Sequence, residues 1–417
     1  GPRDMVRTLS ATLIAALSGA LAAPPAFPQT DSSSGIFSNE NSGFGAAFET
    51  RFQLDAGTVL ASGDSADKPL FDIDTALTVE GFTDAGRRYG LVAGGRIERD
   101  SGRRGWGGLA GDCPAGRGDC ATGVSPASGY RSSGAPVGDA TRTALEEAYL
   151  YYDTGWGELR FGYGPGAAQL DTAGGPAAFR LSRADGGRVA TDRLSGARTA
   201  NLASGWSPKI LFRSVALGQE STIGTLRASA SFTPAVRDCG VDVCHREYGP
   251  AGLVSPVFDD VAELGLIYAI RRGDHEIEAS FGIASGADAT GRPGFERLLA
   301  WDAGLSWRLG DWSAGLRGLV SDNGLAGDRG YQAWSASAGY EAGPWLFTLE
   351  YAGFSDDAVH VDGTSWQVGG SRLIGERWLA GVGLRNARRW DPVLTPGGRT
   401  QVRSGDTVGF LELGWQF

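Results

Sequence analysis

The chain closes on Val408, Gly409, Phe410, Leu411, Glu412, Leu413, Gly414, Trp415, Gln416 and Phe417. In an extended strand successive side chains point to opposite faces, so Leu411, Leu413, Trp415 and Phe417 share one apolar face. In a soluble domain that face would sit on an open edge strand, a template for aggregation. As the closing strand of a barrel in lipid it is well placed. Its apolar side chains meet hydrocarbon, and every backbone group finds a partner around the ring.

The rest of the chain agrees with strands rather than helices. It holds 66 Gly, 12 Trp, 18 Phe and 11 Tyr in 417 residues, as many short strands and turns require. No stretch beyond residue 30 is apolar over the roughly 18 residues that a membrane helix needs. One shorter apolar run, Leu9 to Ala23, follows Arg7 and ends in small residues, the pattern of a secretory signal peptide cut after about Ala22. A single membrane anchor is the alternative, but the run is too short for it. Residues 1–22 are therefore read as a signal peptide, with Gly1 to Asp4 ahead of Met5 assigned no role. Residues 23–42, rich in Pro, Ser and Asn, form a flexible lead-in, and 43–417 form the barrel.

Read for a period of two, the sequence divides into sixteen segments with one apolar and one polar face. In the first, over 44–54, Phe44, Ala46, Phe48, Phe52 and Leu54 oppose Glu49, Arg51 and Gln53. In the second, Phe71, Ile73, Leu77 and Val79 oppose Asp72, Asp74 and Glu80; in the third, Tyr89, Leu91, Ala93 and Ile97 oppose Arg96 and Glu98. The last two segments cover 377–385 and 407–417. Seven connections are tight and eight are longer, the anatomy of an antiparallel barrel with both chain ends on one side. A barrel of about sixteen strands is too wide for side chains to fill, so its charged face lines an aqueous lumen. Tryptophans such as Trp156, Trp312, Trp345, Trp378 and Trp415 fall near strand ends, where interfacial girdles form.

Charge and cysteine usage narrow the partners. Lys plus Arg is 38 against 48 Asp plus Glu, a net charge of −10 with no basic cluster, which argues against nucleic acid. Only Lys68 and Lys209 are lysines, so the positive charge is nearly all arginine. Cys113 and Cys120, and Cys239 and Cys244, are close pairs in long Gly-rich segments and read as two local disulfides; a four-thiolate zinc site is the rival, with spacings that suit it poorly. No cofactor is expected.

Residues 145–163, from Leu145 through Tyr149, Asp153, Gly155-Trp156-Gly157 and Arg160 to Tyr163, resemble the hairpin of the fourth and fifth strands in general bacterial porins of Gram-negative outer membranes. The resemblance extends loosely over 43–417, and the long second loop and the cysteine pairs depart from it. It implies a sixteen-stranded transmembrane β-barrel with a third loop, here about 164–208, folded into the lumen. It implies a diffusion channel for small hydrophilic solutes and ions, and a homotrimer with strands near the termini at its interface. Lipid and lipopolysaccharide would surround it, and a C-terminal strand carrying Trp415 and Phe417 would be read by the barrel-assembly machinery. The narrowing segment carries Asp171, Asp185 and Asp192 among Arg180, Arg183, Arg188, Arg193 and Arg198. With Arg51 and Arg96 as wall arginines opposite, the expectation is an eyelet with loop acids on one side and wall arginines on the other, setting a transverse field.

Two other classes stay open. A sugar- or phosphate-specific channel needs an aromatic track or a basic ladder, and Phe179 is the only aromatic of the segment before Trp206. A barrel enzyme needs a nucleophile and a base, yet His245, His275 and His360 fall in unrelated loops or turns. An adhesin would have a plugged lumen.

Overall fold

The computed structural model describes residues 48–62, 69–100, 125–130, 141–192, 194–218, 223–237, 258–291 and 293–416. Sixteen strands follow in order: β1 (Glu49–Ala61), β2 (Leu70–Phe82), β3 (Arg88–Arg99), β4 (Arg142–Asp153), β5 (Gly157–Tyr163), β6 (Pro208–Ser214), β7 (Thr225–Ala235), β8 (Phe258–Arg272), β9 (His275–Asp288), β10 (Leu298–Leu309), β11 (Trp312–Ser321), β12 (Tyr331–Ala342), β13 (Trp345–Asp356), β14 (Val361–Ile374), β15 (Trp378–Thr395) and β16 (Gly398–Gln416). Each pairs antiparallel with its sequence neighbours, and β1 pairs with β16, from Asp55 opposite Gln416 to Ala61 opposite Phe410, to close the barrel. Closure leaves no edge strand, which answers the problem posed by the terminal apolar face.

The alternation assigns the faces as expected. Phe52 opposite Leu77, and Leu60 opposite Leu411, are outward and exposed, whereas Asp55 opposite Asp74 faces the lumen. Outside, aromatic pairs mark the end with the short turns: Trp312 on Tyr340 at 4.7 Å, Trp345 on Phe347 at 5.9 Å and Trp378 on Trp415 at 6.2 Å. Trp334 on Tyr351, at 5.1 Å, marks the other side of the apolar band. Four of the short turns place Gly273, Gly310, Gly343 and Gly375 at φ between 55° and 64°, a left-handed conformation that glycine adopts without strain.

Two boundaries differ from the sequence reading. The first strand runs to Ala61 rather than Leu54, with Phe44 and Ala46 outside the described residues. The expected loop over 386–406 is instead the top of a long β15–β16 hairpin, turning at Pro396 and Gly397. That part projects beyond the apolar band, so neither face needs to be apolar and the period-two signal fades. The backbone ladder continues regardless. All four cysteines lie outside the described residues.

Candidate functional site: a loop seated inside the barrel

The segment between β5 and β6 opens with a short helix, α1 (Ala167–Leu170), and then travels along the inner wall. Its backbone is tied down strand by strand. The Ala167 amide donates to Ser231 of β7 at 3.0 Å, and the Ala173 amide to Ser280 of β9 at 2.8 Å. Ser337 of β12 donates to the Pro176 carbonyl at 2.7 Å, and the Ala178 amide donates to Thr348 of β13 at 3.2 Å. The amides of Arg180, Leu181 and Ser182 then converge on the single buried carboxylate of Glu412 on β16, at 2.7 to 3.2 Å. Three donors on one carboxylate form a strong, charge-assisted anchor.

Close approach requires the wall to lack side chains. A Cβ at Gly265, Gly304 or Gly315 would land on the backbone of Ala167, Ala173 or Gly175. Gly369, Gly381 and Gly383 make a socket for the Phe179 ring, which also meets Phe410 edge-on at 4.8 Å. Val59, Leu70, Leu181 and Val189 complete an apolar cluster between loop and wall. Phe179 is thus an anchor and not part of an aromatic track along the lumen.

The ion pairs run in an unexpected direction. Arg96 faces the lumen as expected, but it is buried and bound to Asp72, to Glu98 at 2.9 Å and to Glu146 at 3.7 Å. From the loop, Arg188 pairs with Asp72 at 2.9 Å and with Asp74, while Arg180 reaches the same two carboxylates at 3.6 and 3.4 Å. The loop therefore supplies arginines to wall acids, the reverse of the expected polarity. Its aspartates are used up elsewhere. Asp171 pairs with Arg213 of β6, and Asp192, fully buried, pairs with Arg385 of β15 at 2.6 Å. Asp185 accepts from the Thr199 amide at 2.9 Å, from its hydroxyl, and from Ser335 at 2.7 Å. Burial alone would raise the Asp192 carboxyl, but Arg385 and hydrogen bonds from Ser195 and Leu194 outweigh it and hold the group below the usual carboxylate range.

The other expected residues have separate places. Arg51 is on the lumen face opposite Thr78, exposed, and four residues nearer the short-turn end than Asp55, about 13 Å along the strand. It lies below the loop rather than opposite it. Arg183 lines a cavity of about 270 Å³ shared with Asp185, Thr199, Arg317, Ser335 and Glu350. Arg198 is buried, and its amide donates to the Tyr331 hydroxyl at 2.9 Å. Trp415 belongs to the outer aromatic girdle; Arg193 and Phe417 lie outside the described residues.

Sequence reasoning placed Asp72, Asp74 and Glu412 on the lumen face without assigning them the loop. It also passed over Lys209, whose buried ammonium donates to the carbonyls of Gly164 and, at 2.9 Å, Gly205, joining the two ends of the loop at its base. The signal available was scarcity: one of only two lysines sits where the segment rejoins the barrel. On the side the loop does not line, Arg160 stacks on Tyr149 at 4.8 Å and binds Glu158 at 2.6 Å, while Arg88 reaches Glu80 and Glu158 at 3.8 and 3.6 Å.

Comparisons with known proteins agree with this architecture. A family model described as Gram-negative porin matches residues 10–390. No curated protein matches the sequence significantly. Among solved structures, a porin refined at 1.8 Å shares 13% identity at a TM-score of 0.50, covering 88% of this chain and all of the other. OmpT, an outer membrane protein of Vibrio cholerae, shares 11% at 0.51, covering 89% and 98%. Salmonella typhi OmpF, in complex with daunomycin, shares 9% at 0.52, covering 88% and 98%. At such identities these likenesses speak for the fold.

Proposed function

The chain belongs to the Gram-negative porin family, an outer-membrane channel for passive diffusion of small solutes, and on that premise we propose that residues 164–208 form its constriction. The observation that carries this reading is the seating of the loop from Ser231 of β7 round to Glu412 of β16 and Asp72 of β2, inside the barrel. The passage then runs along the inner faces of β4 and β5, between Tyr149 and Arg160 on the wall and Arg180 and Arg188 on the loop. Charges there are mixed and mostly paired, which suits a weakly selective pore for small hydrophilic solutes. Arg51, exposed beneath the loop, adds positive potential to the vestibule on the short-turn side.

Planar-bilayer recording tests this. Deleting residues 170–200 from a correctly folded barrel should raise single-channel conductance and weaken selectivity; unchanged values would remove the loop from the constriction.

The remaining expectations belong to the same reading. The barrel works as a homotrimer with strands near the termini, including Phe48, Leu411 and Leu413, at the contact, and a monomer on cross-linking would refute this. Residues 1–22 are a cleaved signal peptide, and Trp415 and Phe417 address the chain to the assembly machinery. Cys113 with Cys120, and Cys239 with Cys244, form local disulfides whose reduction loosens loops without unfolding the barrel; such rings contribute about 2 to 3 kcal/mol in the chain-entropy model. Free thiols in the unreduced, denatured protein would count against them.

A further inference from the structure

The long second outer connection, between β3 and β4, is described at residues 125–130, and those six residues lie inside the mouth of the barrel. They form a closed turn: the Ser125 amide donates to the Tyr130 carbonyl at 2.9 Å, the Gly129 amide donates to the Ser125 carbonyl at 2.7 Å, and Gly129 takes φ of 68°. The turn is held on several sides. Asn323, between β11 and β12, accepts from the Ser125 hydroxyl and the Ala127 amide, both at 3.1 Å, and the Ser128 hydroxyl donates to Asp356 at the outer end of β13.

Tyr130 then points inward and is 1% exposed. Its ring stacks on Phe354 at 5.6 Å, and the Arg389 guanidinium lies 5.3 Å from the ring centre on another side. Its hydroxyl accepts from Arg389 at 3.5 Å and donates to the Leu194 carbonyl at 3.4 Å. A Cβ at Gly196 would collide with the phenol, so the loop backbone touches the ring directly. Leu194 and Gly196 belong to the return arm of the 164–208 loop. The outgoing arm is bonded to one wall strand after another. The return arm is held by Arg385 on Asp192 and Ser195, by the Tyr331 hydroxyl among Gly196 and Arg198, by Asn201 on the Ala300 carbonyl, and by Tyr130 from above.

We propose that residues 125–130 are a clasp that fixes the return arm of the constriction, making Tyr130 a second determinant of the pore's size limit. A buried aromatic in an outer loop has no reason to enter a wet lumen unless it covers something there, and Tyr130 covers the apolar wall cluster of Tyr331, Phe354 and Val361 together with the backbone of residues 194–196. Releasing it frees an arm that narrows the passage and removes a group that occupies the mouth. The inference rests on the constriction reading above, and the experiment separates the two.

Single-channel conductance, and exclusion of polyethylene glycols of graded size, should be measured on wild type, Tyr130→Ala, Tyr130→Phe and Gly196→Val. Tyr130→Ala should raise conductance roughly 1.5- to 2-fold and admit larger polymers, whereas Tyr130→Phe, which keeps the packing, should stay within about a fifth of wild type. Gly196→Val wedges the same contact apart from the loop's side and should reproduce the alanine effect, so a failure of Tyr130→Ala to fold leaves the idea exposed to refutation. Hydrogen exchange should rise over 194–200 and stay unchanged over 178–182. Wild-type conductance and unchanged 194–200 exchange in both Tyr130→Ala and Gly196→Val would overturn the clasp while leaving the constriction standing. A wild-type channel indifferent to deletion of 170–200 would instead sink the constriction itself.

Discussion

The two sides of the barrel wall follow different rules, although both obey the same alternation of inward and outward residues. From β7 round to β16 the inner face is stripped down: Gly265, Gly304, Gly315 and the socket around Phe179 let a backbone lie against the sheet, and Ser231, Ser280, Thr348 and Glu412 receive its polar groups. From β3 to β5 the inner face carries long charged and aromatic side chains bonded to one another, such as Arg88, Tyr149, Glu158 and Arg160. One side is a seat and the other a wall of a passage. The lesson is that an inward charge can do two opposite jobs. Buried against the loop it neutralises and fixes; exposed, it acts on what passes.

Arg96 and Arg51 sharpen that contrast most, because the sequence put both in one role. Arg96→Ala takes one guanidinium from buried Asp72 and Glu98, which keep Arg188 and Arg142, so the loss should approach but not reach the roughly 3 to 5 kcal/mol of a fully broken buried pair and should lower the thermal midpoint. A variant with wild-type stability would break the distinction. Glu412→Ala comes next: three amides lose their acceptor, at about 1 to 3 kcal/mol for each one left buried and unsatisfied, offset where water enters. The barrel should stay folded in detergent gels while conductance climbs toward that of the 170–200 deletion.

Gly304→Val should cost about 1 to 3 kcal/mol by overpacking against the Ala173 carbonyl, with a smaller rise in conductance and faster exchange near residue 173. Arg51→Ala should leave stability alone and shift selectivity modestly toward cations. That shift should fade between 0.1 M and 1 M salt, as the Debye length falls from about 10 Å to about 3 Å. A shift that survives high salt would mean that Arg51 is desolvated and sits at the constriction after all.

Acidification gives the mildest probe. Because the Asp192 carboxyl is held below the ordinary range, its contribution is fully present above the unfolded value, about 4, and is lost only as pH falls through the lower folded value. Exchange at the Leu194 and Ser195 amides, which donate to Asp192, should therefore be steady from neutrality down to about pH 4 and rise below it. A rise already at pH 5 to 6 would assign the anchor to another group.

The barrel is legible in the chain: sixteen period-two segments, seven tight turns, an apolar closing strand, and the correct face for Asp72, Asp74, Arg96 and Glu412. These are local facts, because alternation fixes a side chain's face within its own strand and lipid punishes any other assignment. Even there the reading failed where lipid stopped imposing a pattern, at the top of the β15–β16 hairpin. The tertiary structure alone decided the pairings across the lumen: loop arginines on wall acids, loop aspartates on Arg213 and Arg385, Phe179 in a glycine socket, Lys209 joining the loop ends, and Tyr130 arriving from a different loop. Such partners lie up to hundreds of residues apart and come from segments with no period at all. What selects them is burial and donor–acceptor satisfaction in the closed barrel, and neither exists until the ring has formed.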